Sequence, residues 1–261
     1  MPDCILTIED VSRSFGGLRA VDHCSFDVQR GHITGLIGPN GAGKTTMLNL
    51  IAGELHPDEG RIVFEGNNIA GKLPYEVARK GVARTFQLAR ELAQLTVLEN
   101  LLMAPYPQIG ERFFHALWQG KAVRRQEAEL TQRGKRLLEL VGLFPLRNDL
   151  AGSLSGGQKK LLELARVMMT RPNLLLMDEP AAGVNPALME RLLEYIRLLR
   201  DEMGVTVLII EHNLGIVESL CEDVIVMAVG TVLARGPMAE LRKHTEVIDA
   251  YLGAGHVHGT V

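Results

Sequence analysis

The stretch Gly38-Pro39-Asn40-Gly41-Ala42-Gly43-Lys44-Thr45-Thr46 constrains this chain more than any other. It satisfies G-x-x-x-x-G-K-[ST], the phosphate-binding P-loop. Its glycines let the backbone curl until successive N–H groups point inward at phosphate oxygens. Lys44 brings a positive charge to β- and γ-phosphates, and the Thr45 hydroxyl suits Mg²⁺. Residues 33–37 before the loop read as a short buried strand. Residues 47–52 after it read as a helix, whose N-terminal N–H groups and dipole add to the anion site. Strand, glycine loop and helix therefore occur in the order that a nucleotide site requires.

The bulk numbers narrow what the nucleotide is for. With 261 residues there is enough chain for one large or two small domains with a proper core. A net charge of −3 gives no global basic field for nucleic acid. Cys4, Cys24 and Cys221 are odd in number, far apart and without metal-type spacing, which fits a reduced, cytosolic setting. The first residues lack a basic region followed by an apolar stretch, so no signal peptide is expected. No apolar run reaches membrane-spanning length, so work at a membrane would pass through partners.

Along the chain, 5–11 and 20–28 alternate as half-buried strands do, and Phe15-Gly16-Gly17 between them is turn-like, which predicts antiparallel neighbours. Residues 61–66 read as a strand joining that pair. On spacing alone, Phe15 is an ordinary loop aromatic, although its face suits an adenine ring. Residues 74–81 form a short helix stopped by glycine, and 82–87 return to strand. Gln87 stands at the end of that strand, where an open parallel sheet places ligand-facing groups. Its amide can reach Mg²⁺ or an attacking water; taken alone it reads as a surface glutamine.

From about 88 to 150 strand signals vanish, and Leu, Ala, Glu and Arg dominate. Thr96-Val97-Leu98-Glu99 is a capping-box start. Residues 121–142 are helical, their basic groups interleaved with Glu127, Glu129 and Glu139 as on a solvated face. The less regular 105–120 carries Phe113, Phe114 and Trp118. This whole region reads as a helical insertion in the nucleotide-binding sheet.

Leu154-Ser155-Gly156-Gly157-Gln158 opens a further helical run. A hydroxyl, two flexible N–H groups and a helix N-terminus make a second anion site. In a chain with one P-loop, such a site makes sense if it completes the pocket of another copy; otherwise it is a plain glycine-rich cap. Residues 173–180 form a buried strand ending in Asp178 and Glu179. Asp178 at such a tip suits direct or indirect Mg²⁺ binding, and Glu179 can polarise the water that attacks a γ-phosphate. After an amphipathic helix over 187–203, a buried strand over 205–210 ends in Glu211-His212. His212 at that tip can contact the γ-phosphate and hold the water, although a lone strand-end histidine is more often structural. Residues 224–227 and 231–236 read as a hairpin about Gly230, and 240–252 as one terminal helix. His256 and His258 are too few for a metal site.

Taken together and in this order, the motifs resemble the nucleotide-binding subunit of an ABC transporter. The P-loop, Gln87, Leu154-Ser155-Gly156-Gly157-Gln158, Asp178-Glu179 and His212 match that family one by one, over nearly the whole chain. Phe15 falls where the family stacks an aromatic on adenine. Ala83-Arg84-Thr85-Phe86-Gln87, residues 95–102, Ala181-Ala182-Gly183-Val184-Asn185-Pro186 and the tail Ala250-Tyr251-Leu252-Gly253 are similar to the LivG-type ATPase of branched-chain amino acid importers. Asn185 stands where the wider superfamily usually carries Asp; it keeps the size and an acceptor oxygen but not the charge.

The resemblance implies an α/β P-loop NTPase fold with a mainly parallel core sheet, an antiparallel β-subdomain and an inserted helical subdomain. It implies one ABC domain over 1–261, with 1–87 and 171–261 as core and 88–170 as the helical part. It implies ATP and Mg²⁺ as ligands, with the metal at Thr45, Gln87 and Asp178. Lys44, Gln87, Glu179 and His212 then carry the chemistry. Ser155, Gly156, Gly157 and Gln158 act in trans on the nucleotide of a partner ATPase. A heterodimer with a related ATPase is expected, a homodimer being the alternative. Further partners are transmembrane permease subunits and, indirectly, an extracytoplasmic solute receptor, with the chain peripheral on the cytoplasmic face of the plasma membrane. Nucleic acid is not an expected partner. Related systems for urea or amide uptake and for lipid or lipopolysaccharide export share much of the pattern. A soluble ABC ATPase of ribosomes or DNA is disfavoured by the single cassette and the lack of a heptad run.

Overall fold

The computed structural model describes residues 3–85, 91–105 and 120–253. Gln87, Phe113, Phe114, Trp118, His256 and His258 lie outside the described residues. The chain divides into two compact units. The first comprises Met1–Arg84, Asn173–Ala181 and Ile196–Val261, and the second Thr85–Pro172 and Ala182–Tyr195.

The first unit holds two sheets. Strands β1 (Cys4–Phe15), β2 (Leu18–Gln29), β4 (Glu59–Phe64) and β5 (Asn67–Asn68) form an antiparallel sheet in the order β2-β1-β4-β5. The pairing of β1 with β2 and β4 follows the expectation from 5–11, 20–28 and 61–66. The other sheet runs β10-β9-β3-β8-β7-β6, built from β3 (Ile33–Ile37), β6 (Val82–Arg84), β7 (Leu174–Asp178), β8 (Thr206–Ile210), β9 (Asp223–Ala228) and β10 (Thr231–Gly236). Its pairs are parallel except for the β9–β10 hairpin. Every residue of β3, β7 and β8 is buried. A parallel strand covered on both faces cannot alternate, which is why these segments read as unbroken apolar runs.

Helices α1 (Lys44–Ile51), α2 (Pro74–Arg79) and α7 (Leu214–Leu220) belong to this unit. Arg235 on β10 ties the two sheets together: Nη1 and Nη2 donate to Asp27 on β2 at 2.6 and 3.1 Å, and Nε donates to Asp223 on β9 at 2.8 Å. The expected single terminal helix is two: α8 (Met238–Leu241) and α9 (Thr245–Gly253). Leu241 and Val247 are both buried in one cluster with Ile37 and Val217. Six residues apart on an unbroken helix they would point about 120° apart. The break at 242–244 lets both face the sheet.

The second unit is helical. It contains α3 (Val97–Leu102), α4 (Gly120–Leu140), α5 (Gly156–Met168) and the first half of α6 (Pro186–Met203). The Thr96 side chain accepts from the Glu99 N–H while the Glu99 carboxylate accepts from the Thr96 N–H, the reciprocal cap that the sequence predicts. Asn100 is fully buried and spends its side chain on the backbone of Leu92 and Thr96. The apolar faces of α3, α4 and α5 supply Leu101, Leu138 and Leu162 to this unit's interior.

Candidate nucleotide site

The parallel sheet determines which residues meet. β3 lies beside β8, and β8 beside β7, so three strand ends open on one edge. This is where open α/β sheets bind ligands. The chain leaves β3 through residues 38–43 into α1, leaves β7 at Asp178-Glu179, and leaves β8 at Glu211-His212. Asp178 pairs in register with Ile210, which brings Glu179 and His212 to neighbouring tips.

The loop after β3 can be built only with glycine at its tight points. Gly38 has φ +148°, and a Cβ there would meet the Met227 carbonyl oxygen at 2.1 Å. Gly43 has φ +96°, and its Cβ would meet the Ala20 carbonyl oxygen at 2.4 Å. A side chain at either position would push the loop off the hairpin or the β-subdomain behind it. The loop then enters α1 directly, with Gly43 as a left-handed N-cap, so the first N–H groups of the helix stay unpaired for a ligand.

Lys44 is buried, and its amine donates to the carbonyls of Gly38 at 2.8 Å and Pro39 at 2.9 Å. Burial lowers its pKa, opposed by the carboxylates of Glu179 and Asp178. A cation held by neutral carbonyls gains when a phosphate replaces them, because the attraction of opposite full charges is added to the hydrogen bonds. A cavity of about 430 Å³ opens above the loop, lined by Phe15, Leu18, Arg19, Ala20, the stretch from Asn40 to Thr46, Glu179, His212 and Val229. That is within the range of small-molecule sites, roughly 300–1,000 Å³.

His212 Nε2 lies 2.7 Å from Glu179 Oε1. Glu179 holds φ +48°, an uncommon conformation for a residue with a Cβ. Two hydrogen bonds support it. Its own N–H donates to the Ile210 carbonyl at 2.9 Å, and the Ala181 N–H donates to Glu211 Oε1 at 3.0 Å. Glu211 is buried and its carboxyl pKa is raised by that burial, with the N–H groups it accepts working in the other direction.

Asp178 sits below the surface, its side chain 5% exposed, and desolvation raises its pKa against the pull of Arg84. Arg84 at the end of β6 donates to Asp178 at 3.2 Å, to Glu54 at 3.0 Å, and to Asn49 on α1. Neither Arg84 nor Glu211 carries a role in the sequence reading. The sequence signal for both is a charged residue at the end of an otherwise apolar strand, and Arg84 also falls in the LivG-like stretch Ala83-Arg84-Thr85-Phe86-Gln87.

Among the described residues no group of three or more His, Cys, Asp or Glu is placed to hold a metal ion. The donors at hand, the Thr45 hydroxyl and the Asp178 carboxylate, are few, hard and oxygen-based. That set fits Mg²⁺ shared with phosphate oxygens and waters rather than a protein cage.

Ser155, Gly156, Gly157 and Gln158 belong to the second unit. Ser155 is the N-cap of α5: its hydroxyl accepts from the Gln158 N–H at 3.3 Å and the Gln158 side chain accepts from the Ser155 N–H at 2.9 Å. A Cβ on Gly156 would meet nothing within 4 Å, so its backbone is open. Asn185 Oδ1 accepts from the Leu188 N–H at 2.9 Å, a bond that needs the acceptor oxygen and not a charge.

Comparison with known proteins places this geometry. The ABC transporter family profile matches residues 21–182, and that of the branched-chain amino acid ATP-binding cassette transporter matches residues 231–257. A probable branched-chain amino acid transport ATP-binding protein LivG of Archaeoglobus fulgidus is 45% identical over 96% of this chain and 96% of its own length. The high-affinity branched-chain amino acid transport ATP-binding protein BraF of Pseudomonas aeruginosa is 42% identical over 95% of this chain and 98% of its own. The crystal structure of the ADP conformation of an ATP-binding cassette of an ABC transporter aligns with a TM-score of 0.80 at 36% identity, covering 96% of this chain and 99% of that one. A nucleotide-free cassette from an ABC transporter aligns with a TM-score of 0.79 at 37% identity, covering 95% and 98%. The chain belongs to the ABC transporter family, within its group of ATP-binding cassettes of branched-chain amino acid transporters.

Proposed function

We propose that this chain binds ATP with Mg²⁺ and hydrolyses it to power amino-acid uptake, branched-chain amino acids being the substrates named for its relatives. The observation that carries the reading is the Glu179–His212 pair, 2.7 Å apart on the wall of the cavity that the P-loop floors. An ATPase needs a base for water, a group to orient that water, and cationic and N–H donors on the phosphates. Glu179 is the base, His212 positions the water and contacts the γ-phosphate, and Lys44 with the loop N–H groups holds the β- and γ-phosphates. Mg²⁺, held by Thr45, Asp178 and Gln87, would supply charge neutralisation between the phosphates. Phe15 stacks on the adenine.

The Ser155-Gly156-Gly157-Gln158 helix start serves the nucleotide of a second ATPase subunit in a head-to-tail dimer. Each ATP then joins two chains, and hydrolysis releases them. A heterodimer with a related ATPase is the reading we favour. Among the described residues no helix is long and apolar enough to cross a membrane. Transport therefore passes through permease subunits at whose cytoplasmic face this chain docks, with an extracytoplasmic receptor selecting the solute.

The test is mass spectrometry of what copurifies with the Glu179→Gln chain from detergent-solubilised membranes in ATP. Two multi-spanning proteins and a second ATPase are expected. Ribosomal or DNA-repair partners without a membrane subunit would end the transport reading and leave the ATPase chemistry standing.

A further inference from the structure

Phe15 closes β1, and its ring, 44% exposed, forms part of the cavity wall with Leu18 and Val229. A ring so exposed has little packing to fix its angle. Arg13, two residues earlier, supplies a contact: its guanidinium carbon lies 5.0 Å from the ring centroid, within cation–π range. The Arg13 guanidinium thus lies over the ring and is not among the residues lining the cavity.

Arg13 is itself held. Its Nη1 donates to Asp58 Oδ1 at 2.6 Å, the Ser14 N–H donates to Asp58 Oδ2 at 2.7 Å, and the Asp58 N–H donates to the Ser12 carbonyl at 2.9 Å. One aspartate at the turn into β4 thus clamps three consecutive residues just before Phe15. The pairing of β1 with β2 shifts register on both sides of Arg13, so the β-ladder alone does not fix this stretch. Arg13 Nε is buried without a hydrogen-bond partner, an unfavourable placement that the Asp58 pair and the ring contact offset.

We infer that Arg13 is a positioning residue for the nucleobase: clamped by Asp58, it backs the Phe15 ring and holds the opposite face ready for the base. A cation on one face draws π density toward itself and leaves the other face less negative, which favours stacking with an electron-rich purine. The inference rests on the reading that Phe15 stacks on adenine, and the experiment separates the two.

Calorimetric titrations with ATP and with inorganic triphosphate are made on the wild-type chain, Phe15→Leu, Arg13→Gln, Arg13→Lys and the Arg13→Gln/Phe15→Leu double variant, with thermal melting as the control for folding. Phe15→Leu is expected to weaken ATP about tenfold and Arg13→Gln roughly threefold, neither changing the affinity for triphosphate. Arg13→Lys restores part of the loss, since it keeps the charge but not the planar fork. The double variant is expected to be no weaker than Phe15→Leu alone, because Arg13 acts through the ring. If Arg13→Gln melts early, Asp58→Asn, which releases Arg13 while keeping an acceptor for Ser14, is expected to show the same base-dependent loss. ATP affinity unchanged in Phe15→Leu overturns the base reading and this inference together. A loss in Phe15→Leu with none in Arg13→Gln and Asp58→Asn, or with fully additive losses, overturns the inference alone.

Discussion

Glu179 Oε1 and His212 Nε2 meet at 2.7 Å across the tips of two neighbouring parallel strands. Glu179 reaches that contact with φ +48°, held by its N–H on the Ile210 carbonyl. Strained backbone persists where surrounding bonds over-determine it, here at the residue proposed to activate water.

The first prediction concerns the histidine. His212→Ala removes the group that orients Glu179 and the attacking water but leaves the P-loop intact. Phosphate release is expected to fall about 100-fold, the size of one lost acid–base or positioning contact, with a much smaller loss of ATP affinity because the P-loop contacts remain. Steady-state turnover and equilibrium binding on the same preparation check both halves.

Lys44 is buried and its amine already has two backbone acceptors. Lys44→Ala is expected to weaken ATP binding by at least about tenfold, the worth of a charge-assisted bond to phosphate. Lys44→Arg is not expected to rescue it, because a planar guanidinium does not reproduce the compact ammonium that meets both the Gly38 and Pro39 carbonyls. Titration calorimetry reads both.

How legible the site was in the sequence depends on how far each residue's partners lie along the chain. The P-loop was legible because its chemistry is local: nine consecutive residues dictate the curl. Glu179 and His212 stand 33 positions apart, yet each follows a strand readable by its apolar run, so their convergence followed from a parallel sheet. Arg84 and Glu211 were not legible. Arg84 is read only through Asn49, Glu54 and Asp178, 35, 30 and 94 positions away, and Glu211 through an N–H 30 positions away. The break between α8 and α9 is illegible in the sequence for a related reason. Helical periodicity over 240–252 is continuous, and it is the shared burial of Leu241 and Val247 that requires the interruption.

Arg84 gives the third prediction. It bridges α1, the following turn and β7 through Asn49, Glu54 and Asp178, with its own side chain only 15% exposed. Arg84→Met leaves the Asp178 carboxylate buried without its cation and is expected to lower unfolding stability by about 2 kcal/mol. Urea unfolding measures it; a change below about 0.5 kcal/mol, the range of an indifferent surface site, would deny the bridge a structural role.

Glu211 gives the fourth. Burial raises its carboxyl pKa above the ordinary 4.5, so the folded chain holds this proton more tightly than the unfolded one. As pH rises from about that ordinary value through the raised one, the unfolded state ionises first and stability falls. Glu211→Gln keeps an acceptor for the Ala181 N–H and has no charge to bury. Its melting temperature relative to wild type is therefore expected to rise across that window and to level off above it. A difference constant with pH would contradict the assignment.

The most direct measurement is ATP turnover and ATP affinity of the Glu179→Gln chain, made side by side. Gln keeps the size of the side chain and a hydrogen bond to His212 but cannot accept the proton of the attacking water. Turnover is expected to drop by roughly 100-fold or more with ATP affinity unchanged or tighter, and ATP should hold the chain as a dimer. Turnover within about twofold of wild type would remove Glu179 from the chemistry, and with it the reading of the 2.7 Å pair as a hydrolytic centre.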